Sequence, residues 1–241
     1  MKEFKNDDCG NLIPLLMNKC FEKYFVDSNH PNRIEKLIGT ILVREGFKEI
    51  HFLRFLEPTR RDEDDGFGVV DVECLCDGEN FKIEVTTSYK DFNADNSLFH
   101  LLDVHTRDID FSYYRPTECE NYRKSIQICL NMTGIDYDQF MLRSDNTNIV
   151  CDDSYRILTL NTLYYLDKLN DDIECATEMD KIIGMFVIND YDKLSNITNS
   201  IEDYQDLADI LKSYSNNEDI LSDYDVDKFL NNKNGYESSE N

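Results

Sequence analysis

The sequence predicts an α/β fold: a mixed β-sheet of about four to five strands flanked by helices. Three observations point to it. Residues 68–88, GVVDVECLCDGENFKIEVTTS, set two runs rich in Val, Ile, Phe and Cys on either side of Asp77-Gly78, the strongest short-range hairpin signal. Residues 34–42 carry Ile34, Leu37, Ile38, Ile41 and Leu42 at helical spacing. Residues 125–132, SIQICLNM, read as a buried strand.

In chain order, residues 12–25 predict a short helix or arm in which Phe21 and Phe25 pack together. Asn32 or Ser28 is expected to cap the next helix, and Gly46 to stop it. Residues 49–57 alternate weakly and predict the first strand, ended by Pro58. The charged stretch RRDEDDGFG at 60–68 lacks the ligand spacing of an EF-hand and reads as a solvated loop.

The hairpin comes next. With the turn centred on Asp77-Gly78, Cys76 faces Glu79, Glu73 faces Lys82, and Asp71 faces Glu84. Side chains alternate along a strand, so one face carries Asp71, Glu73, Lys82, Glu84 and Thr86, and the other Val70, Val72, Cys74, Cys76, Phe81, Ile83 and Val85. Carboxylates directly opposed across a ladder, with Cβ atoms roughly 5 Å apart, repel, and a divalent cation between them relieves that repulsion. Lys82 reads as a cross-strand ion pair with Glu73 that can also swing towards the pair.

Beyond the hairpin, residues 95–110 are compatible with a helix bearing His100 and His105, and Arg115, Arg123 and Lys124 form one of the few basic clusters. Residues 148–160 contain a further strand-like run, YRILTL, followed by a helical stretch, NTLYYLDKLN. From residue 171 the composition turns acidic, with helical spacing at 179–187, 201–214 and 220–230. The expected organisation is a core of residues 1–170, an acidic helical region of 171–230 packed on or beside it, and a disordered tail of 231–241.

Composition restricts function. The net charge of −24, of which roughly 13 falls in residues 171–241, repels nucleic acid unless basic residues gather on one face or a metal offsets the carboxylates. The eight cysteines show no CxxC pair or His spacing of a zinc site, so they read as structural thiols. No apolar run approaches the ~20 residues of a membrane span, and acidic residues interrupt the first stretch before any apolar core begins. A cytoplasmic protein without membrane contact is expected.

Asp71-Val72, Asp77-Gly78, Lys82-Ile83 and Glu84-Val85-Thr86 together resemble the D…(D/E)xK signature of PD-(D/E)XK nucleases, nearest to the PD-(D/E)XK nuclease-family transposases, or recombination-promoting nucleases. The likeness extends, with falling strength, from about residue 21 to residue 169. It departs at Thr86, where the family has Gln or Lys, and at His100, where an Arg is expected. The resemblance implies a restriction-endonuclease-like core and a Mg²⁺- or Mn²⁺-dependent DNA endonuclease with little sequence specificity. Asp71, Glu84 and the backbone carbonyl of Val85 would then be metal ligands, with Glu35 of the first helix as a further candidate. Thr86 would stand at the catalytic Lys or Gln position, with Lys82 as a substitute, and His100, His105, Arg115, Arg123 and Lys124 would be phosphate contacts. The partner would be DNA and the assembly a homodimer. The alternative is a nuclease fold that has lost catalysis at Thr86 and acts as a binding or regulatory module, meeting a protein partner through its acidic helices. A third reading is a structural phage or mobile-element protein.

Overall fold

The two-residue turn organises the sheet. In the computed structural model, which describes residues 12–57, 68–89, 97–98, 101, 124–132, 134–143 and 150–221, Asp77 and Gly78 both take positive φ, 49° and 85°. That backbone twist matches the twist of the strands it joins. β2 (Gly68–Cys76) and β3 (Glu79–Ser88) therefore pair antiparallel in the expected register, with Asp71 opposite Glu84, Glu73 opposite Lys82 and Cys76 opposite Glu79. The Asp77 carboxylate also accepts the Lys48 and Glu49 N–H groups at 3.0 and 2.8 Å, tying the turn to the entry of β1 (Ile50–Phe55).

β1 pairs antiparallel with β2, β4 (Lys124–Asn131) parallel with β3, and β6 (Val150–Asn161) parallel with β4. β5 (Tyr137–Arg143) closes the far edge antiparallel to β6. The sheet thus has six strands in the order β1-β2-β3-β4-β6-β5, not four to five. The additional strand is β5, whose sequence YDQFMLR has no β-branched residue and no clean alternation; pairing with β6 makes it a strand.

Helices α1 (Asn18–Phe25) and α2 (Asn32–Leu42) precede the sheet. α2 runs into a 3₁₀ turn that stops at Gly46, whose φ of 92° favours glycine. Neither Asn32 nor Ser28 caps α2. Pro31 occupies the N-cap, and the Asn32 amide donates instead to Asp203 at 2.5 Å. After β6 come α3 (Thr162–Asp171), α4 (Glu178–Gly184), α5 (Tyr191–Thr198), α6 (Leu207–Tyr214) and α7 (Glu218–Leu221). Asn161 caps α3 through the N–H groups of Leu163 and Tyr164, and Thr177 with Asp180 forms a capping box on α4.

One face of the sheet, including Val70, Val72, Cys74, Ile83, Val85, Ile128 and Leu158, packs with α1, α2 and the C-terminal helices in one buried cluster. The acidic helices are built into this core. Phe186 stacks on Phe25 with ring centroids 6.0 Å apart, and the Leu12 and Leu16 N–H groups donate to Asn189 and Phe186 carbonyls. Arg33, 3% exposed, reaches from α2 to the Asp206 carboxylate, and the Tyr204 hydroxyl donates back to the Arg33 carbonyl at 2.8 Å. Acidity and burial coexist because each helix shows the core only a stripe, such as Leu207, Ala208 and Leu211 on α6. No helix among the described residues is long and apolar enough to cross a membrane.

Candidate active site

Alternation sends the apolar residues of β2, β3 and β4 to the core and their polar residues to the opposite face. That second face is buried as well: Asp71 is 3% exposed, Lys82 2%, Glu84 0% and Gln127 1%, with Glu73, Thr86, Ser125 and Asn131 also buried. A small apolar cluster of Leu101, Cys129 and Ile157 lies on this face, and Ser97 and Cys129 bring Oγ and Sγ to 3.6 Å. The hairpin therefore carries a buried layer of ionisable side chains. Ionised groups removed from water lose hydration and are retained only with hydrogen-bonding or ionic partners.

Several partners are visible. The Gln127 amide Nε2 donates to Glu84 Oε1 at 2.6 Å. Arg54 Nε donates to Glu73 Oε2 at 2.6 Å from the rim of β1, and Lys82 lies directly opposite Glu73 in the ladder. Asp71 opposes Glu84 across β2 and β3, and Gln127 opposes Glu84 across β3 and β4, so the three form one row over adjacent strands. Thr86 is on the same face, level with Val69 and Cys129, and Val85 turns its side chain into the core between Glu84 and Thr86.

The start of β2 is held closely. A Cβ at Gly68 would lie 2.6 Å from Thr87 Oγ1 and 3.0 Å from the Asn18 backbone, so only glycine lets α1 approach the hairpin here. Glu22 Oε1 then accepts the Val69 N–H at 3.0 Å, two residues before Asp71. Asp71 also borders a cavity of about 550 Å³ lined by Lys19, Lys23, Phe55, Leu56 and Val69 among others.

Gln127 is the residue that sequence reasoning missed. Its signal was a polar side chain within SIQICLNM, sharing a period of two with Ser125, Cys129 and Asn131. Its relation to Glu84 depends on a parallel register between strands that lie far apart in the chain.

Other expected site residues are placed elsewhere. Glu35 Oε2 accepts the Phe52 N–H at 2.6 Å, beside the irregularity between Phe52 and Arg54 in the edge strand β1. Burial, with Cys76, Glu35 and Glu73, pushes the Cys74 thiol well above its ordinary pKa, and Cys74 belongs to the core face. Glu35 is thus committed to the backbone of the edge strand β1. Lys124 stands opposite Phe81 at the start of β4 and pairs with Glu79 at 2.7 Å. His100, His105, Arg115 and Arg123 lie outside the described residues. Among the described residues no group of three or more His, Cys, Asp and Glu side chains is arranged to hold a metal ion. Asp71 and Glu84 are opposed across β2 and β3, with the Gln127 amide beside Glu84 on β4.

Comparison with family models, with curated proteins and with solved structures finds no match for this chain.

Proposed function

We propose that the chain is a metal-dependent phosphodiesterase acting on DNA, built on a restriction-endonuclease-like core of the PD-(D/E)XK transposase-like type. The observation that carries this reading is the direct cross-strand opposition of Asp71 and Glu84 in a buried polar layer. The strand order around them supports it: two helices, an antiparallel β1-β2-β3 meander, and β4 added parallel to β3.

Asp71 and Glu84 would hold Mg²⁺ or Mn²⁺, with the Val85 carbonyl as the ligand the resemblance adds. Such an ion, when bound, stabilises charge on the scissile phosphate and lowers the pKa of a water. The Thr86 hydroxyl would orient that water but is too short to reach the phosphate. Lys82, drawn to Glu73, would supply positive charge on the same face. The buried surroundings lower the local dielectric and so strengthen each of these interactions.

The full burial of Glu84 and the net charge of −24 favour a second reading, in which the pair survives as polar packing in a binding or regulatory module. Plasmid nicking at low salt separates the two. The enzyme reading expects weak nicking, strongest with Mn²⁺, that disappears in Asp71→Asn and Glu84→Gln. Absence of metal-dependent nicking in the parent, or an Asp71→Asn protein as active as the parent, would sink it.

A further inference from the structure

We propose that Gln127 is a third side-chain ligand of a divalent-cation site at Asp71 and Glu84, its amide oxygen extending an all-oxygen donor set; this rests on the metal-dependent reading above. Gln127 is 1% exposed and donates through Nε2 to Glu84 Oε1 at 2.6 Å, so its amide is aimed at the carboxylate. The other end of that amide, Oε1, is buried with no hydrogen-bond partner. Buried amide oxygens are nearly always satisfied, and one that is not needs an explanation. Because nothing holds that oxygen, turning the amide breaks only its bond to Glu84.

The ladder places the three residues for this role. Asp71 opposes Glu84, and Glu84 opposes Gln127, with neighbouring strands about 4.8 Å apart. Side chains converging from such a row can put oxygens on one small ion, whose ligands sit at roughly 2.1 Å for Mg²⁺. The amide reaches that arrangement by a soft motion, because the terminal torsion of Gln is broad and nearly two-fold. Half a turn about Cγ–Cδ exchanges the nitrogen that faces Glu84 for the oxygen that has no partner. With the nitrogen inward, the N–H lends partial positive charge to Glu84; with the oxygen inward, it becomes a ligand.

Charge and chemistry agree with this choice. An amide adds an oxygen donor without a further negative charge in a buried layer that already holds Asp71, Glu73 and Glu84. Glu35 would add a charge and is instead committed to Phe52. Gln127 brings an amide to Glu84 from the next strand.

Mn²⁺ binding to the full chain, measured by electron paramagnetic resonance of the free ion and by thermal shift, tests the assignment in the parent, Asp71→Asn, Gln127→Met and Gln127→Glu. Gln127→Met keeps the volume and removes the oxygen, and is expected to weaken Mn²⁺ binding by at least about tenfold. Gln127→Glu keeps an oxygen and removes the N–H donor. It is expected to bind Mn²⁺ at least as tightly as the parent, with a larger rise in Tm on adding the ion. Gln127→Met binding as tightly as the parent, or Gln127→Glu losing Mn²⁺, would reduce Gln127 to a hydrogen-bond donor and overturn the proposal while the Asp71–Glu84 site stands. If Gln127→Met does not fold, Gln127→Glu decides alone. Mn²⁺ binding that is absent from the parent, or unchanged in Asp71→Asn, would remove the metal reading itself and this ligand with it.

Discussion

Replacing Arg33 with Met should show that the acidic helices and the sheet melt as one body. The guanidinium donates to the Tyr24 carbonyl at 3.3 Å and to the Asp206 carboxylate, lies 3.5 Å from Asp27, and stacks 4.3 Å from the centroid of the Tyr24 ring. Methionine keeps most of the buried stem, so the cavity contribution is small. The loss is then a charge-assisted hydrogen bond, about 1.5–3 kcal/mol, and a cation–π contact, about 0.5–2 kcal/mol. The Asp206 side chain is 48% exposed and Asp27 28%, so both carboxylates recover water and the total is discounted. A net destabilisation of roughly 2–3 kcal/mol remains, equivalent to a fall in Tm of about 4–12 °C for a chain of this length. Thermal and urea unfolding, followed by far-ultraviolet circular dichroism and tyrosine fluorescence, should give one coincident, earlier transition. A loss below about 0.5 kcal/mol, the range of an ordinary surface substitution, would refute the account of Arg33. Two separated transitions would refute the shared core.

Further outcomes follow from single contacts. Gly184→Ala would set a Cβ 3.1 Å from the Tyr165 backbone and 2.6 Å from a Leu169 methyl, so α3 and α4 must part; denaturation should show a loss of about 1–3 kcal/mol. Glu35→Ala removes the acceptor of the Phe52 N–H and should lower stability by about 1 kcal/mol, with Mn²⁺ affinity unchanged because the carboxylate is committed to the edge strand β1. Burial works to raise the Asp180 pKa, but hydrogen bonds from Thr177 and the Lys168 charge hold it below the usual range. A depressed carboxyl stabilises the fold above its unfolded pKa, so Asp180→Asn should cost stability at pH 7, with the difference from the parent shrinking as the pH falls below about 4 and on through the depressed folded pKa. Of Cys20, Cys74, Cys76, Cys129 and Cys175, only Cys175 is exposed, and burial pushes Cys20 and Cys76 up to about 12. A thiol reagent on the native protein should label Cys175 and spare the other four until unfolding.

Local chemistry was strong where a few adjacent residues decide the backbone. Asp77-Gly78 can take positive φ at two successive positions, and from that turn the strict alternation of strands dictates that Asp71 meets Glu84 and Glu73 meets Lys82. The apolar stripe of α2 with Gly46 beyond it, and the packing of Phe21 on Phe25 at 5.0 Å, were likewise legible because they depend on neighbours three to four residues apart. The caps were not: Pro31 took the N-cap of α2, and Asn32 turned to Asp203, a residue 171 positions away.

What the sequence determined by itself is the hairpin, its register and the carboxylate pair, since period-two alternation from a two-residue turn leaves no freedom. Only the tertiary structure decided that the polar face would be buried, that YDQFMLR would be a strand, and that the acidic C-terminal helices would complete the core. The same holds for the site. Gln127 reaches Glu84, and Glu35 holds the Phe52 N–H instead, because parallel pairing of β3 with β4 and the packing of α2 beside β1 are set by contacts between segments distant in the chain. Such contacts depend on the summed burial of many side chains, which leaves no local pattern around any one of them.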